Sequence, residues 1–198
     1  MIQAQDILTQ HSGAYLSVLS AFNQPPGRIR ASVAAYPFLD FADPGYHQAF
    51  EKRIFDQPQL PAEIVTAHLG SMKPGAIVTS ATPPERRPLM IAAAQQGKFV
   101  EFLGDDIKLY PMRMLEEGVK TPADLPKIFI YHGRQDSAVP YQGTEKFEKT
   151  LKGLEGGKEK NYISIQEGEH GFDTLDELTL DTPWLKEGLE FVTATWLE

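Results

Sequence analysis

The sequence predicts an α/β fold, a parallel sheet of about four strands flanked by helices. Three observations carry this. Ile128–Tyr131 is an unbroken β-branched and aromatic run, the pattern of a strand buried on both faces. The turn pair His132-Gly133 and then a carboxylate, Asp136, follow it, placing an acid beyond the carboxyl end of a strand, where open α/β sheets keep their chemistry. The arrangement then repeats with a histidine: Tyr162–Ile165 alternates like a strand, and Glu167-Gly168-Glu169-His170-Gly171-Phe172 puts His170 34 residues after Asp136.

In chain order, Asp6–Thr9 is a short strand with Ile7 and Leu8 as its apolar pair. Gln10-His11-Ser12-Gly13 is a sharp turn, and Ala14–Phe22 a helix with Tyr15, Leu19 and Phe22 on one face. Pro25-Pro26-Gly27 breaks that helix, Ile29–Tyr36 is the second strand, and Pro37 ends it. The long segment 43–126 separates two core strands by far more than a crossover needs, and it reads as a helical insertion. Asp43-Pro44 caps a helix carrying Tyr46, Phe50 and Ile54; Pro61–Leu69, a helix opened by Thr82-Pro83, and Pro111–Glu117 follow. Met72, Met90, Phe99, Phe102, Met112 and Met114 are its candidate pocket wall, set against packing of the insertion onto the sheet. Gly143–Gly153 is amphipathic through Phe147 and Leu151. The closing helix Pro183–Leu197 buries Leu185, Leu189, Val192 and Trp196.

With 198 residues, 41% of them hydrophobic, the chain is expected to form one domain, 1–198. A net charge of −8 disfavours nucleic acid and anionic membrane as partners. The absence of cysteine excludes disulfides, thiolate catalysis and thiolate-bound metal, and fits a cytoplasmic protein. No run of apolar residues is long enough to span a bilayer, and Met1–Gln10 lacks the pattern of a signal peptide. The adjacent carboxylates Asp105 and Asp106 point apart with no histidine at ligand spacing, so neither metal nor cofactor is expected. Asp6–Thr9 is expected at the sheet edge, unguarded by proline or lysine. A homodimer pairing two copies of strand 6–9 would cover it.

The segments HGRQDSAVP, GEHGF and WLKEGLEFVTATWL resemble the α/β-hydrolase family: its acid loop, its catalytic-histidine loop and its last helix, in the Ser…Asp…His order. The resemblance runs over residues 6–198, the second half of the family fold, and the middle of the chain looks most like fungal biosynthetic-cluster hydrolases. It implies Asp136 and His170 as triad members, a helical lid in the insertion, and a small-molecule acyl substrate. The strand–turn–helix around Ser12 has the layout of the family's nucleophile elbow, but the motif departs from G-x-S-x-G. Without gaps, His11 falls on the nucleophile position and Thr9 replaces the first glycine. Ser12 is therefore either the nucleophile or the cap of the following helix. Gly13 would supply one oxyanion donor. The family's second donor comes from a His-Gly-Gly loop upstream of the elbow, a loop this chain lacks, so a weakened oxyanion hole is expected. Asp40, with Phe38 before it, and Phe172 are candidate pocket residues, though Asp40 reads first as a carboxylate that satisfies loop backbone N–H groups. Two functional classes result. One is an esterase, thioesterase or lactonase. The other is a non-hydrolytic member, a cyclase or proton-transfer enzyme using His170 and Asp136, or an inactive binding protein.

Overall fold

The computed structural model describes residues 5–10, 12–75, 85–174 and 178–196, with the backbone alone described at 5–10, 12 and 195–196. In chain order the elements are β1 (Gln5–Gln10), α1 (Ser12–Asn23), β2 (Ile29–Ala35), α2 (Pro44–His47), α3 (Glu63–Ser71), α4 (Arg87–Gln95), α5 (Phe99–Leu103), α6 (Pro111–Glu116), β3 (Lys127–Gly133), α7 (Gln142–Gly153), β4 (Asn161–Gln166) and α8 (Pro183–Trp196).

All four strands pair in parallel, in the order β1-β2-β3-β4. The four expected strands are thus present, each two or three residues longer than its apolar run, except β2, which stops one residue short at Ala35. Each crossover advances one strand in the same direction, so crossovers of one hand place their helices on one face. The packing agrees. Ala14, Val18 and Phe22 of α1, Met112, Met114 and Leu115 of α6, and Phe147 and Leu151 of α7 bury against Ala34, Ile128 and Ile130. On the other face Val192, Leu185 and Leu189 of α8 cover Ala31, Val33, Ala35, Phe129 and Tyr131. β2 is buried at every position but Arg30, as a strand covered on both faces must be. Its one buried hydroxyl on the α1 side, Ser32, is matched by Ser17 at 2.8 Å. Gly188 of α8 sits where Phe129 needs room: a Cβ there would lie 2.3 Å from the Phe129 ring. β1 pairs only with β2 among the described residues.

The insertion is shorter than the expected 43–126. Residues 41–104 form a compact unit, whereas 105–126 pack with the sheet. The reason is apolar: Met112, Met114, Leu115 and Leu125 sit in the same buried cluster as Ala14, Val18 and Ile128. Met112 and Met114 therefore fill core rather than wall a pocket. Inside the 41–104 unit, Val65, Ala92 and Ala93 pack with Leu60, Ile64, Leu89 and Phe99. The helix expected to run on to Ile54 stops at His47, its start capped by the Asp43 carboxylate accepting from Gly45 N at 2.6 Å. Beyond it the chain turns tightly, with Phe55 and Asp56 left-handed between the bridged residues Ile54 and Gln57. The expected start of the third insertion helix, Thr82-Pro83, lies outside the described residues. Among the described residues no helix is long and apolar enough to cross a membrane.

Candidate active site

β3 and β4 run in register to their ends, with Gly133 opposite Gln166, so the loops that follow emerge side by side. They are laced together at once. Arg134 N donates to Gln166 O at 2.7 Å and Gln135 N to Gly168 O at 3.0 Å. The approach is so close that a Cβ on residue 133 would lie 2.4 Å from Gly168 O, which explains the glycine of the His-Gly pair. The Gln135 amide binds the Glu167 carboxylate and the Gly168 N–H. One oxygen of Glu169 accepts from Ser137 N at 2.6 Å and from His170 N at 2.7 Å, clamping the acid loop to the histidine loop.

Asp136 stands at the centre. Its Oδ1 accepts from the backbone N–H groups of Ala138 (2.9 Å) and Val139 (2.7 Å). Its Oδ2 accepts from His170 Nδ1 (2.7 Å) and from His132 Nε2 (3.1 Å). His132 Nε2 also faces the carbonyl of Val139 at 2.9 Å. With two acceptors in front of it, that nitrogen must carry the proton, which leaves His132 Nδ1 to accept from the Thr144 hydroxyl at 2.9 Å. Burial raises the Asp136 pKa, but the hydrogen bonds from His132 and His170 outweigh it and hold the carboxyl down at about 2. Asp136 is thus a buried, ionised acceptor, and its side chain has no exposed surface. It fixes the His170 proton on Nδ1 and makes Nε2 the basic nitrogen. The Tyr36 ring packs on the His170 ring, centroid to centroid 4.4 Å.

The structure brings Asp136 and His170 together as the spacing predicted. Ser12 is the first residue of α1 and Gly13 the second. β1 ends at Gln10, so a single position separates strand from helix; that residue, His11, lies outside the described residues. Gln10 is level with Ala35, Tyr131 and Ser164 across the sheet, so the β1–α1 junction lies at the same end as the Asp136 and His170 loops. Both oxygens of the Asp40 carboxylate take the Lys146 ammonium of α7 at 3.0 Å. Phe172 is core, edge-on to Tyr131 and 6.1 Å from Trp184. Phe38 is half-buried just past β2. Asp106 caps a turn by accepting from Lys108 N, and no group of three or more metal-ligating side chains occurs among the described residues. Sequence reading missed His132, Thr144, Glu169, Tyr36 and Asp173. Two of them had a visible signal: His132 opens the turn pair at the end of β3, and Glu169 is the residue before His170.

A parallel sheet whose last two strands deliver an acid and then a histidine bonded to it is an α/β-hydrolase-like fold. No family model matches this chain. Its sequence is similar to a probable carboxylesterase M8 of Phoma sp., 26% identical over 193 residues, 94% of this chain and 58% of that relative. Among solved structures, a protein of unknown function from Staphylococcus aureus subsp. aureus Mu50 superposes with a TM-score of 0.59 at 20% identity, covering 94% of this chain and 62% of that one. A truncated carbohydrate esterase from gut microbiota superposes with a TM-score of 0.49 at 16% identity, over 94% and 57% of the two chains. The chain therefore spans roughly three-fifths of the length of these relatives.

Proposed function

We propose that this chain is an esterase-type hydrolase of a small-molecule ester, thioester or lactone. The observation that carries the reading is the His170 Nδ1 to Asp136 Oδ2 hydrogen bond of 2.7 Å, formed by a buried, ionised carboxylate. The likeness to a probable carboxylesterase supports it. His170 Nε2 takes the proton from Ser12 Oγ as that oxygen attacks the acyl carbon. The developing oxyanion receives the Gly13 N–H, and Nε2 returns the proton to the leaving group. Water then repeats the sequence on the acyl-serine and restores the enzyme. Asp136 stays ionised throughout and stabilises the imidazolium.

The test is release of p-nitrophenol from p-nitrophenyl acetate. His170→Ala is expected to abolish turnover. Asp136→Asn should reduce it by about 10⁴, because the wrong tautomer is then favoured. Loss in Ser12→Ala assigns the nucleophile. Turnover unchanged in His170→Ala would overturn the reading.

A further inference from the structure

Among the described residues, Tyr36 is the one fully buried residue with a left-handed backbone that is not glycine: φ is +44° and its exposure is zero. A bulky aromatic side chain is held there only when its surroundings over-determine it. Three contacts do so. Its N–H donates to Tyr131 O at 2.8 Å, continuing the β2–β3 ladder one step past the end of β2. Its hydroxyl donates to Asp173 Oδ1 at 3.0 Å. Its ring lies 4.4 Å from the His170 ring, tilted by 56°, and 6.3 Å from that of His132. Asp173 is itself fixed from a second side, since Tyr131 donates to its Oδ2 at 2.9 Å.

Asp173 lies three residues after His170 on the same loop. A bond to Asp136 at the imidazole edge leaves one motion open, rotation of the ring about that Nδ1···Oδ2 line. A second ring packed closely against the imidazole, as that of Tyr36 is, restrains it. We infer that Tyr36, tethered through its hydroxyl to Asp173, is a positioning residue that sets the plane of His170 and so the direction of Nε2. The inference rests on the reading of His170 as the general base, and it adds a second carboxylate that acts through a phenol packed against the imidazole.

The experiment uses ¹⁵N-histidine-labelled full chain, with the His170 Nδ1–H signal assigned by its loss in His170→Gln. In wild type the signal is expected to be sharp and slow to exchange. In Tyr36→Phe and Asp173→Ala exchange should speed up by roughly tenfold, the scale of one hydrogen bond to a charged acceptor. In Tyr36→Leu the signal should broaden away. If p-nitrophenyl acetate is turned over, the same variants should lower kcat by up to about 10², the scale of a misplaced catalytic group, with KM little changed. Tyr36→Phe should retain more activity than Tyr36→Leu. Unchanged Nδ1–H exchange in Tyr36→Phe and Asp173→Ala, with folding intact by circular dichroism, would overturn the inference. The exchange readout needs no turnover, so absence of esterase activity alone sinks the hydrolase reading and leaves the positioning role separately measurable.

Discussion

Phe129 and Gln95 are both buried to zero exposure, one inside the sheet unit and the other inside the 41–104 unit, and they do opposite jobs. Phe129 fills space between rings, 5.6 Å from Tyr131 and from Tyr162, while the backbone around it is satisfied by the β ladder. Gln95 supplies the hydrogen bonds themselves. Its Nε2 donates to Lys52 O (2.8 Å) and Pro58 O (3.0 Å), and its Oε1 accepts from Leu60 N (2.8 Å). A buried irregular segment has no ladder, so a side chain must pair its backbone groups. At these two positions, then, the sheet unit is held by packing and the insertion unit by a polar hub.

Gln95→Leu should break the comparison most. It keeps much of the volume but leaves three backbone groups without their partner, each worth about 1–3 kcal/mol when buried. The expected result is a local loss of about 3 kcal/mol or more: the Leu60 amide should exchange fast while the Phe129 and Ile130 amides stay protected. Equal loss of protection in both units would mean that they unfold as one.

The next effect belongs to the sheet unit and appears in acid. The Asp136 pKa is depressed from its ordinary 3.8 to about 2, so its contribution is fully present above pH 3.8 and fades as pH falls through 2. The difference amounts to about 2 kcal/mol. Urea unfolding of Asp136→Asn at pH 6 and at pH 2.5 should show a shallower acid loss than wild type. An identical acid loss in the two proteins would remove the linkage. Gly188→Ala comes third. Alanine favours the helix by about 1 kcal/mol, but its Cβ would meet the Phe129 ring at 2.3 Å, and overpacking costs about 1–3 kcal/mol. A net destabilisation is expected, recovered in Gly188→Ala/Phe129→Leu. Stabilisation by Gly188→Ala alone would show that the ring can give way.

The same contrast decides what was legible in the sequence. Ile128–Tyr131 announced β3 because apolar periodicity reports burial directly, and Asp136 and His170 were readable because consecutive strand ends bring their loops together. Periodicity says nothing about Gln95 and Lys52, 43 residues apart, or Tyr36 and Asp173, 137 apart. Those pairs depend on where the finished fold puts two polar atoms. The insertion failed for that reason: Phe50 looked like part of a helical face but is exposed, and the chain there follows the needs of Lys52 and Gln95 rather than an apolar stripe.

Lys52 offers the smallest and most selective test of the polar-hub side. Its ammonium binds Gly45 O and Ala94 O, with Gln48 O further off and the Phe50 ring 4.4 Å below it. Burial lowers its pKa, and Asp43 opposes this only in part. The slope with pH has the same sign as on the acid side, although here it is the charged form that folding disfavours. The folded lysine releases its proton before the unfolded one does, so between its folded pKa and 10.5 the unfolded chain binds more protons and stability rises with pH. Raised tyrosines act the other way: folded Tyr36 and Tyr162 hold their protons longer than the unfolded chain, so stability falls above pH 10. Comparison with Lys52→Met cancels that common term. The stability gap between wild type and Lys52→Met should move in favour of wild type as pH goes from 8 to 10, followed by urea unfolding monitored on Tyr46 resonances inside the insertion unit. A gap that stays constant would mean that the carbonyl cage compensates the ammonium for its lost water, making Lys52 a neutral tether rather than a strained one.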